Sequence, residues 1–188
     1  MKHSPSPELL RKLLLYSPHD GKLFWLPRTP DMFVSGRQSA GQSCAKWNAQ
    51  NAFKEAFTTV DAAGYLQGSI FDRAYRAHRV IWAMVTGEWP DGMIDHENRN
   101  RSDNRFKNLR PASASQNMHN RGMSKNNSSG FKGVSWDSSK SKWHAQIGLN
   151  RKTHHLGYFD CLNEAHNAYA EASQAMHGAF GYNGRNKK

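Results

Sequence analysis

Asp95 and His96 stand side by side near the middle of the chain, followed by Asn98, Asn100, Asp103-Asn104 and Asn108-Leu109-Arg110, with Asn117 beyond. These residue types suit phosphodiester hydrolysis. That reaction needs a base to activate water, a hard cation on the phosphate and a scaffold that fixes both. A histidine, with an ordinary pKa near ~6.5, can take a proton at neutral pH. Carboxylate and amide oxygens suit Mg2+ or Mn2+ better than soft metals. On an extended segment Asp95 and His96 point to opposite sides, so one can grip a cation while the other faces water. The plainer reading is an Asp-His surface turn followed by asparagines that satisfy their own backbone. His119, His144, His154 and His155 are not expected to be metal ligands.

The elements around this cluster are readable in part. Leu9, Leu10, Leu13 and Leu14 recur at helical spacing after Ser6-Pro7, which predicts a helix. Asp20-Gly21 reads as a turn into a strand over Lys22 to Leu26. Residues 27–60, rich in Ser, Gly, Ala and Gln, are expected to form an irregular platform. Gly64 to Ile70 alternates as a strand does, Asp72-Arg73 turns the chain, and a second strand is expected around Ala74 to Ala77. His78 to Thr86 reads as a buried helix closed by Gly87 and Pro90. Ile94 and Leu109 are then expected to anchor two short strands around a long polar loop, with a helix from Ser113 to Asn120 after Pro111. Residues 121–129 have linker composition. Beyond them, Gly133 to Ser138, Lys142 to Leu149 and Lys152 to Phe159 read as three strands. A helix follows from about Leu162 to His177, with Asp160 as N-cap and Gly178 as stop. Its stripe is Ala165, Ala168, Tyr169, Ala172, Ala175 and Met176. The fold class expected is α+β, with an accessory region over 1–63, a first domain over 64–120, a linker over 121–129 and a second domain over 130–188.

Charge narrows the partners. The chain has 188 residues, and its 26 Lys and Arg against 15 Asp and Glu give a formal charge of +11. Residues 1–120 carry 16 basic and 11 acidic side chains and residues 121–188 carry 10 and 4, so the excess is no mere basic tail. A chain this basic is poised to meet a polyanion. Cys44 and Cys161 lie far apart and offer neither a zinc pair nor a disulfide framework. The N-terminal leucines are interrupted by Arg11 and Lys12, unlike a signal peptide, and no stretch has the length of a membrane span. A cytoplasmic, monomeric protein is expected.

His78-Arg79, Trp82, Thr86-Gly87, Pro90, Ile94-Asp95-His96, Asn98, Asn100, Asp103-Asn104-Arg105, Asn108-Leu109-Arg110, Asn117 and Asn120 together resemble the HNH endonucleases common in bacteriophage genomes and mobile elements. The resemblance spans roughly residues 64–120. It implies a ββα-metal fold around one divalent cation, Mg2+ or Mn2+, and hydrolysis of double-stranded DNA to 5′-phosphate and 3′-hydroxyl ends. By the same resemblance His96 is the general base, Asp95 a metal ligand, and Asn108 the middle letter that orients His96 and braces the loop. Asn117 replaces the final histidine and supplies the second protein ligand. Glu97 departs from the family, which often has an apolar residue there, and the zinc-binding cysteines of some relatives are missing.

The C-terminal segment carries a second resemblance. Ser129-Gly130-Phe131-Lys132-Gly133-Val134, Lys142-Trp143, Ala145-Gln146-Ile147, Leu156-Gly157-Tyr158-Phe159, Glu164-Ala165, Ala168-Tyr169, Ala172 and His177-Gly178 are similar to the plant APETALA / ethylene-responsive-factor DNA-binding domain. That implies a small three-stranded antiparallel sheet packed on one helix, with the sheet entering the major groove. Strand alternation alone puts Trp143, Ala145, Ile147 and Leu149 against the helix, and His144, Gln146 and Gly148 on the other face with Thr153 and His155. Gln146 can pair with adenine, and Lys132, Arg151 and Lys152 suit phosphates. Trp136 and Trp143 could stack on bases, but tryptophans of a small domain are more often in the core, where they are expected. The face has fewer arginines than plant members, so base preference does not transfer. Together the two resemblances imply a homing-type endonuclease that nicks or cuts DNA. The rival readings are a non-catalytic DNA-binding regulator and a basic RNA-associated structural protein.

Overall fold

The computed structural model of the chain describes residues 4–124 and 126–182. The chain divides into two compact units, Met1–Pro111 and Ala112–Lys188. The division falls ahead of the 121–129 stretch, so the helix expected over Ser113 to Asn120 belongs to the second unit.

In the first unit, helix α1 (Pro7–Leu13) starts where the Ser6 hydroxyl accepts the Leu9 N–H and a proline opens the first turn. Leu14, expected in that helix, is its extended C-cap and the first residue of strand β1 (Leu14–Ser17). Strand β1 pairs antiparallel with β2 (Lys22–Trp25) across the Asp20-Gly21 turn. The segment expected to be irregular contains a helix, α2 (Ala40–Asn51), opened by a Ser39–Gln42 capping box. Of its side chains only Cys44 is buried, which is why no apolar stripe announced it. Two-residue strands β3 (Glu55–Ala56) and β4 (Thr59–Val60) follow, β3 joining β2 and β4 joining β5 (Leu66–Ile70). Strand β5 turns through Phe71-Asp72 into β6 (Arg73–Arg76).

Helix α3 (Ala77–Thr86) ends at Gly87, whose φ of 86° suits a residue without a Cβ. Its inner face supplies Val80, Ile81 and Ala83 to a core shared with Leu10, Leu13, Leu14, Leu23, Ile94 and Leu109. The sequence-based division at residue 63 therefore has no counterpart in the packing: α1, β1 and β2 build the same core as α3. Strands β7 (Met93–His96) and β8 (Leu109–Ala112) pair as expected around Ile94 and Leu109.

Helix α4 (Ala114–Asn120) opens with a second capping box, Ser113 with Gln116. Strands β9 (Val134–Asp137), β10 (Lys142–Leu149) and β11 (Lys152–Phe159) form an antiparallel sheet in the order β11-β10-β9. Helix α5 (Leu162–His177) covers one face, and its Ala165 and Tyr169 meet Val134, Ala145, Ile147 and Phe131. Two details differ from the sequence reading. The N-cap is Cys161, while Asp160 pairs with Lys142 at 3.2 Å. The buried stripe ends at Ser173, and Ala175 and Met176 are exposed. Residues 127–129, expected in the linker, are tied to this unit: Ser129 Oγ donates to Val134 O at 2.7 Å and Asn127 Nδ2 to Phe131 O at 2.8 Å. Among the described residues no helix is long and apolar enough to cross a membrane.

Candidate active site and nucleic-acid interface

Strand β7 delivers Asp95 and His96 into a closed setting, 6% and 3% exposed. Asp95 Oδ2 receives the Arg110 guanidinium from the neighbouring strand, through Nε at 3.1 Å and Nη2 at 3.0 Å. His96 Nε2 lies 3.0 Å from Asn104 Oδ1. A carboxamide oxygen only accepts, so this contact favours the tautomer with the ring proton on Nε2. On its other sides His96 meets the ring of His78 edge-on at 5.1 Å and that of Tyr65 at 5.8 Å. Burial pushes the His96 imidazole below the ordinary histidine range, against the opposing pull of the Asn104 contact and of the Asp95 and Asp103 carboxylates. His96 is thus neutral at pH 7, the state a general base needs.

The loop between β7 and β8 is held by its own polar side chains. Asn108 Oδ1 accepts the Asn98 N–H at 2.9 Å, and Asn108 Nδ2 donates to Asp103 O at 2.8 Å. Asn98 and Asn100 each accept a backbone N–H two residues on. Asp103 accepts from Asn98 Nδ2 at 2.7 Å and pairs with Arg105, which lowers its carboxyl to about 2. The self-satisfying reading of the asparagines therefore describes Asn98, Asn100 and Asn108 well. Asn108 sits where it braces the loop, and the side chain set on the His96 ring is Asn104. The motif residues outside the loop have physical roles too. Arg79 pins the approach to β7 through Gly92 O and Pro90 O, and Trp82 packs on Phe106 at 5.3 Å.

Asn117 lies on α4, in the second unit. The donor chemistry of Asp95 and Asn117 fits a hard cation, one carboxylate and one carboxamide. Among the described residues no three His, Cys, Asp or Glu side chains gather as a metal-binding group.

In the second unit the sheet face away from α5 carries the residues expected on it. Gln146 lies opposite His155 and Gly148 opposite Thr153. A register shift at Ala145/Gln146 makes His144 the partner of Tyr158. Gly157, at φ 142°, absorbs the irregularity. His144 Nε2 and His155 Nδ1 are 2.7 Å apart, and both rings lie against Tyr158, over which Lys140 sits at 3.6 Å. Arg151 and Asn150 turn the β10–β11 hairpin with positive φ, and Arg151, Lys152 and Thr153 are exposed. The Lys132 ammonium, expected on phosphate, donates in this fold to His119 O and Arg121 O, both at 2.7 Å, at the C-terminal end of α4. Trp143 packs on the core, but Trp136, expected there, is 50% exposed and meets Trp143 edge-on at 5.1 Å.

Asn104, Arg110 and His78 belong to the first resemblance and Tyr158 to the second, but residue type and spacing give none of them a role. Tyr65 carried no signal.

A family model described as HNH endonuclease matches residues 75–119, and one described as AP2 domain matches residues 129–179. The chain is 32% identical over 111 residues to "Protein 3.8" of Escherichia phage T7, covering 58% of this chain and 91% of that protein. No solved structure matches the chain. With β7, its polar loop and β8 inside the first match, and the three-stranded sheet and α5 inside the second, the chain belongs to the HNH endonuclease family and carries an AP2 DNA-binding domain.

Proposed function

We propose that this chain is a metal-dependent endonuclease that hydrolyses phosphodiester bonds in duplex DNA, with His96 as general base. The observation that carries the reading is the setting of His96: buried, neutral, with Nε2 on Asn104 Oδ1 and the Asp95 carboxylate next in the chain. In the tautomer with the proton on Nε2, the His96 ring takes a proton from water through Nδ1 as that water attacks phosphorus. The imidazolium so formed is steadied by Asn104 on one side and by the Asp95 and Asp103 charges nearby. On the family resemblance, Asp95 on β7 and Asn117 on α4 are the residues that would serve as ligands of one divalent cation, Mg2+ or Mn2+. The cation, when bound, supplies charge stabilisation at the phosphate and at the leaving 3′-oxygen. Arg110 keeps the Asp95 carboxylate in one orientation, and Asn108 keeps the loop in one shape.

The AP2 domain addresses the enzyme to DNA through His144, Gln146, Thr153 and His155 on its open face, with Arg151 and Lys152 on phosphates. The setting we propose is a homing-type endonuclease of a phage or other mobile element, acting as a monomer in the host cytoplasm. Incubation of supercoiled plasmid and source genomic DNA with Mg2+, with Mn2+ and with chelator tests the reading. Nicked or linear product that needs the metal is expected. His96→Ala should lose on the order of 10²–10⁴ in rate while binding DNA like the wild type. Wild-type cleavage by His96→Ala would overturn it.

A further inference from the structure

The hairpin of β1 and β2 grips the catalytic loop from a part of the chain about ninety residues away. The Tyr16 hydroxyl donates to Asn104 O at 3.2 Å and accepts the Phe106 N–H at 2.8 Å. At the turn of the same hairpin Gly21 is buried with φ +76°, and a Cβ there would meet the Asn104 carbonyl carbon at 2.6 Å and the Arg105 nitrogen. The hairpin thus touches three consecutive residues of the loop, Asn104, Arg105 and Phe106, at two points. Asn104 is the residue whose Oδ1 meets His96 Nε2, and it is 1% exposed. Its side chain can hold the imidazole only as steadily as its own backbone is held.

We infer that the β1–β2 hairpin is a positioning element of the nuclease, in which Tyr16 acts through Asn104 to orient His96. The inference rests on the endonuclease reading and deepens it: residues expected to be accessory become part of what sets the base. Tyr16 touches neither His96 nor Asp95 in this arrangement and is not a catalytic residue. Its ring packs against the shared core, so Tyr16→Phe keeps the packing and removes the two hydrogen bonds.

The test uses the full-length protein. Tyr16→Phe is expected to lower kcat about 3- to 10-fold, the worth of one or two ordinary hydrogen bonds, with KM for DNA unchanged. In an Asn104→Ala background the same change should cost little further, because its route to His96 is already cut. Hydrogen exchange of the Phe106 amide, in the free protein without DNA or metal, should quicken in Tyr16→Phe. Wild-type kcat in the single variant, a full additional loss in the double variant, or unchanged Phe106 exchange each overturns the inference. Absence of any cleavage by the wild type would instead sink the endonuclease reading, while the exchange experiment still decides whether the hairpin holds the loop.

Discussion

A histidine base needs a ring nitrogen that keeps its lone pair, and at this site Asn104 decides which one. Removing Asn104 takes away the Oδ1 contact that favours one tautomer of His96. Asn104→Ala is therefore expected to cost about 10- to 100-fold in kcat, the usual range for a residue that orients a functional group, with DNA affinity near wild type by filter binding. An unchanged kcat would mean the ring is held by other groups. His78 poses a different question at the same scale. It is 4% exposed, its Nδ1 meets no partner, and burial, with the charges of His96, Arg76 and Arg79 behind it, pushes it down to about 3. Unfolded, it takes a proton near ~6.5. The unfolded chain therefore binds more protons between these values. Stability from the neutral ring is complete above the upper value and is lost as pH falls towards the lower one. At pH 4.5 that amounts to roughly 2–3 kcal/mol. Urea midpoints at pH 7 and pH 4.5 should separate less in His78→Phe, which keeps a ring and removes the titration; an equal separation would assign the acid loss to other groups.

At the scale of elements, sequence and structure agree where burial is periodic. Strands β10 and β11 and helix α5 have the ends expected of them, because one face of each meets a core and the alternation is legible residue by residue. Helix α2 was invisible for the opposite reason: Ala40 to Asn51 buries only Cys44, and what starts it is the Ser39–Gln42 box rather than a stripe. The leucine run misled at Leu14, where one apolar residue serves the same core in a strand as its neighbours do in a helix. In the site itself Asp95 and His96 could be read from type and adjacency. The side chain that meets His96 could not, since Asn98, Asn100, Asn104 and Asn108 are alike in sequence and only folding separates the one on the ring from those on backbone. Gly21 shows the same limit: a turn glycine by sequence, it is a contact surface in the fold. Gly21→Ala must either shift the hairpin or move Asn104 and Arg105. Cleavage is expected to drop by more than in Tyr16→Phe, with a loss of stability on the order of 1–3 kcal/mol by urea titration. A variant as stable and active as wild type would show that the loop yields at no cost.

For the whole molecule, the residues proposed for catalysis and for DNA contact are spread over both units. Asp95, His96, Asn104, Asn108 and Tyr16 lie in the first unit, while Asn117 and the open sheet face lie in the second. Residues 121–188 carry 10 basic and 4 acidic side chains, and α4, which carries Asn117, is fastened within that unit. Its end carbonyls at His119 and Arg121 take the Lys132 ammonium, and the His119 ring stacks on His177 at 3.7 Å. A chain ending at Arg121 keeps Asn117 but loses both of these partners. It is expected to lose site selectivity and, in addition, to need more Mg2+ for half-maximal cleavage. It should also show a flatter dependence of log affinity on log salt, by about 0.9 for each phosphate contact removed. Lys132→Met in the full chain separates the two effects. If its ammonium serves α4 rather than a phosphate, that variant shifts the metal response and leaves the salt slope alone. A shallower slope in Lys132→Met would return Lys132 to the DNA. A truncated chain with wild-type site preference and metal response would place both targeting and metal binding in residues 1–121.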